Sequence, residues 1–373
     1  MVYLFCFFIV VDLVIFGVDL WVRFTVWYRR IHIGKWISFK EWSNAVDYRT
    51  ERWLKHSYTV RKTDNNRFII LDVVLGNHKS EVIQYWQDAG LVLGVRDDNP
   101  ILSAFIERKI DVRTGDWKEK PVRLDIALLG YALMEKNIDI RRIKSAMDSI
   151  YSLILEYKGD SETFPYVKHL PDVRFVDTLG LVCPFLAKYS VLFNCEGALK
   201  LAYNQIMEYD DALLAGWGFP SHAYNIKENK PLGIYDWGRG IGWYILALIA
   251  LFDCTNDVLF RKKLILLADK LLLCQKNDGG FSSQVFSKNL PTEGSITVIA
   301  GLLLGKCYSF TGDVKYKKAF DKLINSLMTI TQRNGALDMC QGDTKTIGIY
   351  SVHYGYMPFA QGLLSKLLKE NAQ

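Results

Sequence analysis

The sequence predicts an all-α protein that is built from helical hairpins. From about residue 38 onward, apolar residues recur with the spacing of helices, and alternating β-type patterns are few. Charged, amphipathic segments alternate with far more apolar ones, and Gly-rich loops separate them. Asn65–Gly76 is an exception, because its apolar run fits either a strand or a helix. Polar helices outside and apolar helices inside would bury one continuous core.

The outer helices of the later hairpins start at regular intervals. Their predicted starts are spaced by 58, 60 and 56 residues, and three of the four are aspartates, which suit a helix N-cap. Two earlier hairpins bring the number to six. The outer and inner segments pair as Ser43–His56 with Tyr85–Val95, Ile101–Lys109 with Leu124–Met134, the helix from Asp139 with Val176–Tyr189, that from Gly197 with Gly240–Phe252, that from Asp257 with Ile296–Tyr308, and that from Asp313 with Gly355–Leu368.

Composition excludes several classes of function. The 373 residues are 50% hydrophobic, which is ample for a large core, and the net charge is +6. Half of that charge lies in the first forty residues, and no basic run follows, so nucleic-acid binding is not predicted. Seven cysteines without a C-x-x-C pattern indicate buried free thiols in a reducing compartment. Six histidines without an H-E-x-x-H pattern predict no metal site.

Residues 1–37 form an apolar tail ahead of the predicted helical domain, residues 38–373. The tail is long enough for a short membrane span, although Asp12 would cost about 2.5–3.5 kcal/mol at its centre. A single anchor, an interfacial helix and a tail set by the choice of start codon are the alternatives. A cleaved signal peptide is not expected, because a basic n-region and a small-residue cleavage site are lacking. We favour a membrane-associated tail, and the following Arg cluster predicts a cytoplasmic domain attached to the inner face of the membrane.

A stretch before the fourth inner helix combines aromatic, basic and glycine residues. Residues 235–244 read Y-D-W-G-R-G-I-G-W-Y. Trp237 and Trp243 offer flat apolar faces, and Arg239 offers a fork of N–H donors that suits a carboxylate. A Gly-rich turn with core aromatics is the alternative explanation for each Trp alone. The combination at a helix start predicts a site for a sugar acid.

This stretch resembles the W-G-R-G-x-G-W segment of the unsaturated rhamnogalacturonyl hydrolases, glycoside hydrolase family 105, which are related to the unsaturated glucuronyl hydrolases of family 88. The resemblance spans roughly residues 39–368. It implies that the six hairpins close into an (α/α)6 barrel in which every inner helix starts at the same end. The loops before these helices would then converge on one funnel, where helix N-termini favour an anionic ligand.

The resemblance also implies two carboxylates at the funnel. Asp177, in R-F-V-D-T-L, matches the family's catalytic acid, and Phe175 stands where a Trp is usual. A helix N-cap would explain Asp177 from local sequence alone. Asp125, in V-R-L-D-I-A, is the candidate for the second carboxylate, and an N-cap or a surface salt bridge to Arg123 are the alternatives.

Further substrate-binding residues follow from the same comparison. Trp86 and Gln87 match the segment that opens the first inner helix, although Trp86 also fits a core position. His222 matches a substrate-contacting His, but residues 224–225 are Tyr and Asn where Trp and Asp are usual, which puts the sugar specificity in doubt. For Glu293, at the start of a later inner helix, an N-cap is the favoured interpretation over a place on the rim of the sugar site.

The implied activity is that of a glycoside hydrolase acting on oligosaccharides that end in a 4,5-unsaturated uronic acid. Asp177 would protonate C4 of the double bond, Arg239 would hold the carboxylate, and Trp237 and Trp243 would stack on the sugar. The partner is then an acidic oligosaccharide, and no cofactor is needed. Two alternatives stay open: another carbohydrate-active enzyme on this barrel (glycosidase, lyase or epimerase), and a catalytically silent glycan-binding protein of surface-polysaccharide metabolism.

Overall fold

A computed structural model describes the chain except for residues 57, 63–69, 71–73, 75–78, 160, 214–217 and 371–373. Most of Asn65–Gly76, where strand and helix were both open, therefore lies outside the described residues. The described helices are α1 (Val2–Arg30), α2 (Phe39–Lys55), α3 (Tyr85–Gly94), α4 (Pro100–Lys109), α5 (Ile126–Met134), α6 (Lys144–Lys158, after a 3-10 turn at Ile140–Ile143), α7 (Val176–Phe193), α8 (Glu196–Leu213), α9 (Gly238–Thr255), α10 (Val258–Cys274), α11 (Gly294–Thr311), α12 (Val314–Thr329) and α13 (Pro358–Glu370).

Among the described residues, seven short strands lie in the loops and form three small antiparallel sheets. The first sheet pairs two strands, the second joins three, and the third pairs two strands that flank a loop near the C-terminus. They are β1 (Thr59–Lys62), β2 (Lys79–Val82), β3 (Val173–Phe175), β4 (Ala223–Asn225), β5 (Lys230–Leu232), β6 (Cys340–Gln341) and β7 (Tyr354–Gly355).

The helices from α2 onward form two concentric layers. The buried inner layer is α3, α5, α7, α9, α11 and α13, and the amphipathic helices α2, α4, α6, α8, α10 and α12 surround it. Each inner helix packs on the next, and α13 packs back on α3, which closes the ring. The predicted (α/α)6 barrel and its six hairpins are therefore confirmed. All seven cysteines carry free thiols, and four of them are buried.

The predicted capping residues stabilise the helix starts. Asp139, Asp257 and Asp313 each accept a hydrogen bond from the backbone N–H two residues further on. The fourth outer helix of the repeat, α8, starts at Glu196, one residue before the predicted Gly197. Glu293 caps α11, as predicted, by accepting from Ile296 N at 2.8 Å.

Glycine allows the inner helices to approach at backbone distance where the ring closes. A Cβ atom on Gly362 of α13 would lie only 1.8 Å from the carbonyl oxygen of Gly90 in α3. A Cβ on Gly90 would lie 2.4 Å from the backbone of Phe359. No side chain larger than hydrogen fits between these helices, so the width of the barrel at this seam depends on the two glycines.

The tail forms one long helix. By length and composition, four helices among the described residues could cross a membrane, namely α1, α7, α9 and α11. The last three are mostly buried inner helices, whereas only 6% of the most apolar window of α1 is buried. Its mean hydropathy in that window is 2.4, which is compatible with attachment to a membrane.

We predict that Gly362→Ala destabilises the fold by about 1–3 kcal/mol or more, because the added methyl group meets backbone atoms that cannot rotate away. Gly197→Ala in the outer helix α8 is the matched control, since a Cβ there meets only the Tyr151 hydroxyl at 3.4 Å. An alanine within a helix is more stable than a glycine by roughly 0.5–1 kcal/mol, so the control substitution should be neutral or stabilising. Chemical denaturation measures both variants. Wild-type stability of Gly362→Ala would contradict the proposed role of the seam.

Candidate active site

A cavity of about 210 Å³ lies at the end of the barrel where the inner helices start. Four of the predicted site residues, Trp86, Asp177, Arg239 and Trp243, line it. Over the described residues, the lining does not include Asp125, Gln87, His222 or Trp237. The remaining lining residues, which the sequence analysis did not assign to the site, are Gln84, Arg123, Tyr166, Leu181, Asp343 and Thr344.

The sheet β3–β4–β5 joins the loop before α7 to the loop before α9. Phe175 pairs with Ala223, and Val176 N donates to the carbonyl oxygen of His222 at 3.0 Å. This register places His222 directly beside the first turn of α7. His222 Nε2 lies 3.6 Å from Asp177 Oδ2, which brings two predicted site residues together from distant parts of the chain.

Asp177 does not act as a helix cap. It lies in the first turn of α7, which has no side-chain capping bond at its start. Its side chain is 20% exposed, and its buried Oδ2 has no hydrogen-bond partner among the described residues. Burial raises the pKa of Asp177 to about 6; the charge of Arg239 opposes this rise, and the charge of Asp343 adds to it. A carboxyl group in this state can exist as an acid close to neutral pH.

His222 is neutral at this pH. Burial, together with the positive charge of Arg239, lowers its pKa to about 4. Its Nδ1 lies 3.2 Å from the hydroxyl group of Tyr350, and its ring packs 4.5 Å from the Trp237 ring, centroid to centroid. The neutral ring can therefore hydrogen-bond a hydroxyl group without placing a second positive charge beside Arg239.

Asp125 lies behind the cavity wall. It occupies the N-cap position of α5 without a side-chain capping bond, and Arg123 Nε lies 3.4 Å from its Oδ1. Burial raises its pKa, and Arg123 opposes this shift. The phenol of Tyr166 lies near both carboxylates: burial raises its pKa most, and the charges of Asp125 and Asp177 raise it further. Tyr166 lines the cavity, so its hydroxyl group feels the charges of both carboxylates.

Arg239 is held from behind by backbone carbonyl groups. Its Nη1 donates to Gln341 O at 2.7 Å, and its Nη2 donates to Gly342 O at 2.9 Å. The guanidinium also lies 5.2 Å from the centre of the Trp237 ring. Two of its five N–H groups are used by these two bonds, and the group still lines the cavity. These contacts fix its orientation before any ligand binds.

The aromatic residues differ in their position. Trp243 and Trp86 line the cavity and meet edge to face, with ring centroids 5.7 Å apart. Trp237 is buried and donates its indole N–H to Gln341 Oε1 at 3.2 Å. Gln87 is also buried, beside Trp86 in the first turn of α3. Stacking of Trp237 on a sugar and contact of Gln87 with a ligand stay predictions, and both residues lie outside the cavity lining.

A hairpin over the cavity, residues 338–355, contributes groups that the sequence analysis missed. We call it the rim hairpin; it contains β6, a loop and β7. Asp343 and Thr344 of this loop line the cavity, and Tyr350 contacts His222 and accepts from Ile234 N at 3.3 Å. The loop has no helical periodicity, so only the W-G-R-G-type residues that it packs against gave a sequence signal for this part of the site.

The arrangement defines a class of protein: a helical barrel with a buried acid, a fixed guanidinium and indole rings in one cavity, as expected for a carbohydrate-active enzyme. The sequence profile of Glycosyl Hydrolase Family 88 matches residues 123–356, well over half of the chain. The chain therefore belongs to this family, and it is a glycoside hydrolase. A search among curated proteins gives no match. In the described part of the chain, no three His, Cys, Asp or Glu residues are grouped to hold a metal ion.

Solved structures share the fold. A possible member of glycoside hydrolase family 105 from Klebsiella pneumoniae matches with a TM-score of 0.69 and 14% identity, over 90% of this chain and 93% of that one. The unsaturated glucuronyl hydrolase from Streptococcus agalactiae gives 0.64 and 14%, over 90% and 92%. The enzyme of that name from Bacillus sp. GL1, responsible for the degradation of glycosaminoglycan, gives 0.64 and 12%, over 88% and 95%.

We predict that Asp177→Asn becomes more stable relative to the wild type as pH rises from about 4 to about 6. The folded pKa of Asp177 is raised, so the wild type is penalised once the carboxyl group ionises above its unfolded pKa of about 3.9. A difference of about two pKa units corresponds to about 3 kcal/mol. Thermal melting of both proteins between pH 4 and pH 8 measures the change.

Asp139→Asn is the control for the pH range. The hydrogen bond from Arg141 lowers the pKa of Asp139, so the stability that this carboxylate contributes changes with pH only below about 4. The stability difference between Asp139→Asn and the wild type should therefore stay nearly constant between pH 4 and pH 8. A stability difference for Asp177→Asn that does not change with pH would show that Asp177 is not a shifted acid.

Proposed function

We propose that this glycoside hydrolase releases a terminal 4,5-unsaturated uronic acid from oligosaccharides made by polysaccharide lyases. The observation that carries the proposal is Asp177, a partly buried acid that lines the cavity. Its pKa is raised to about 6, and its Oδ2 has no hydrogen-bond partner in the part of the chain that the structure describes. Hydration of a vinyl ether starts with protonation of carbon, which requires an acid that still carries its proton near neutral pH.

Arg239 is the proposed partner of the substrate carboxylate. Its guanidinium lines the cavity with N–H groups that the rim hairpin does not use. Its fixed plane suits a planar carboxylate. The starts of α3, α5, α7 and α9 point their N-terminal partial charges towards the same end of the barrel, which also favours an anion. Trp243 and Trp86 offer apolar surface to the sugar ring.

The proposed reaction begins when Asp177 donates its proton to C4 of the terminal ring. The resulting cation at C5 is stabilised by the ring oxygen. Water adds at C5 and returns a proton to the Asp177 carboxylate, so the acid is regenerated. The hemiketal at C5 then opens to a ketone and leaves a hydroxyl group on C1 of the same uronic acid residue. This C1 hemiacetal collapses to an aldehyde, and the neighbouring sugar leaves as an alcohol. This route differs from the paired-carboxylate displacement at the anomeric carbon.

The surrounding groups support these steps. Neutral His222 lies 3.6 Å from Asp177 Oδ2, so it can hydrogen-bond a sugar hydroxyl group or the attacking water without quenching the acid. The charge of Asp343, which also lines the cavity, favours the protonated form of Asp177. We assign Asp125 the role of orienting Arg123, whose Nε lies 3.4 Å from Asp125 Oδ1, towards the ligand.

The N-terminal segment has a separate proposed role. We propose that residues 1–37 attach the catalytic barrel, residues 38–373, to the inner face of the cytoplasmic membrane. Residues 2–22 contain 15 Leu, Ile, Phe or Val, each worth about −0.3 to −0.6 kcal/mol in a span, which outweighs the cost of about 2.5–3.5 kcal/mol for Asp12. Asp19 lies near the end of this stretch and is buried, and the cost quoted for an Asp applies at the centre of a span. The Arg residues at the end of α1 favour the cytoplasmic side.

Asp177→Asn should lower kcat on an unsaturated uronide by roughly 10²–10⁴-fold, because an amide cannot deliver the proton. Substrate binding should persist, since the amide keeps the shape of the side chain. Loss of the ultraviolet absorbance of the vinyl ether measures turnover. Asp139→Asn, which removes a carboxylate far from the cavity, should keep wild-type kcat. Near wild-type turnover by Asp177→Asn would exclude this residue as the acid.

Arg239→Lys should raise KM for a uronide about ten-fold or more, since charge-assisted hydrogen bonds are worth about 1.5–3 kcal/mol. It should also lower the melting temperature, because the bonds to Gln341 O and Gly342 O are lost. Gln341→Ala is the control: it removes side-chain bonds to Trp237 and Ser351 in the same hairpin but leaves the cavity charge. Only Arg239→Lys should discriminate between the uronide and its carboxyl-reduced analogue; equal losses on both sugars would exclude the carboxylate role.

A further inference from the structure

The end of α1 is fastened to the rim hairpin. Arg30 makes a two-pronged ion pair with Asp338, in which Nε and Nη2 each donate to a carboxylate oxygen at 2.8 Å. Nη2 also donates to Tyr354 O at 3.0 Å. The Asp338 side chain is 3% exposed and that of Arg30 is 31% exposed, so the pair is shielded on the hairpin side. Arg30 therefore binds both ends of the rim hairpin, which carries Asp343 and Tyr350.

The segment that follows α1 is held against the same part of the barrel. Gly34 N donates to Thr331 O at 2.9 Å, and the indole N–H of Trp36 donates to the same oxygen at 3.2 Å. Gly34 has a φ of +70°, and a Cβ atom there would lie 2.6 Å from the carbonyl oxygen of Thr329. The contacts of Arg30, Gly34 and Trp36 thus fix the place where the tail meets the barrel. They leave no flexible linker between α1 and the funnel.

Along α1, an apolar stretch is followed by aromatic and then basic residues, as in a membrane span. Its 29 residues extend for about 43 Å, which exceeds the hydrocarbon thickness of about 30 Å. Trp21, Trp27 and Tyr28 are exposed in its last ten residues, immediately before the basic pair that ends the helix. Aromatic and then basic side chains are the usual sequence at a membrane–water interface.

We propose that α1 spans the bilayer and that the Arg30 clamp, which consists of the bonds from Arg30 to Asp338 and Tyr354, orients the substrate funnel towards the membrane surface. The inference rests on the proposed membrane attachment, and it adds the orientation of the site. Arg30 would lie at the interface, one side chain away from Asp338, so the funnel end of the barrel is the end nearest the lipid head groups. The funnel would then receive its acidic oligosaccharides from the membrane-proximal layer of the cytoplasm.

The two ends of the barrel are far enough apart for a direct test. An inner helix of 18 residues, such as α7, is about 27 Å long. Val352, in the rim hairpin, has 71% of its surface exposed, and Asn137, which follows inner helix α5, is exposed at the opposite end. A fluorescent thiol probe is attached to Val352→Cys or to Asn137→Cys in a full-length background in which Cys6, Cys195 and Cys254 are replaced by Ser. The remaining cysteines are buried.

Each labelled protein is reconstituted into liposomes whose lipids carry a quencher in the head group. We expect the protein to float with the liposomes, the Val352 probe to lose fluorescence, and the Asn137 probe to keep it. Protein that does not float, equal quenching at the two positions, or stronger quenching at Asn137 would each overturn the proposal.

Arg30→Gln serves as the variant that loosens the clamp. It should still float, because α1 keeps its apolar surface, but quenching at Val352 should weaken as the barrel gains freedom to turn. Unchanged quenching would show that the Arg30 clamp does not set the orientation. Turnover of a soluble unsaturated disaccharide is measured on the same liposomes. Correct orientation without turnover would contradict the proposed hydrolase activity and leave the orientation intact, so the two failures are distinguishable.

Discussion

The structure depends on the contact of glycine backbones between inner helices. At the seam between α3 and α13, Gly90 and Gly362 remove the side chains that would hold the helices apart. Gly180 of α7 does the same against Trp243 of α9, where a Cβ would lie 2.6 Å from the indole ring. These contacts close six hairpins into a narrow ring. The closed ring brings the starts of α3, α7 and α9 and the loops before α5 and α13 to one small cavity. The site is therefore a consequence of core packing rather than of one loop.

Within that cavity, the hydrogen-bond partners and the burial of each side chain determine its orientation and its protonation state. Arg239 is oriented by two carbonyl oxygens of the rim hairpin, so its position does not depend on a carboxylate partner. Oδ2 of Asp177 has no hydrogen-bond partner among the described residues, and burial outweighs the attraction of Arg239 and raises the pKa of Asp177 to about 6. His222 is kept neutral by the same burial and by the same guanidinium. A fixed guanidinium thus coexists with an acid whose pKa is raised to about 6, which is the combination that hydration of an anionic vinyl ether needs.

The sequence predicted the parts of the protein that follow periodic or capping rules. The six hairpins and the caps at Asp139, Asp257 and Asp313 could be found because helical spacing and N-cap chemistry act locally. For Asp177, local rules favoured a cap, and only the family resemblance pointed to an acid; the structure shows no capping bond there. The burial of Trp237, the contributions of Tyr166 and Asp343, and the clamp from Arg30 to the rim hairpin depend on irregular loops and on contacts between distant residues. No local pattern encodes these.

The central claim is that Asp177 meets C4 of a terminal unsaturated uronic acid in this cavity. The most direct measurement is a crystal structure of the Asp177→Asn protein with an unsaturated disaccharide bound. We expect the side-chain amide of residue 177 to lie about 3–3.5 Å from C4, the sugar carboxylate to lie on the cavity side of Arg239, and the ring to pack against Trp243. A disaccharide bound with its reducing end inside the cavity, or with C4 turned away from residue 177, would contradict the account.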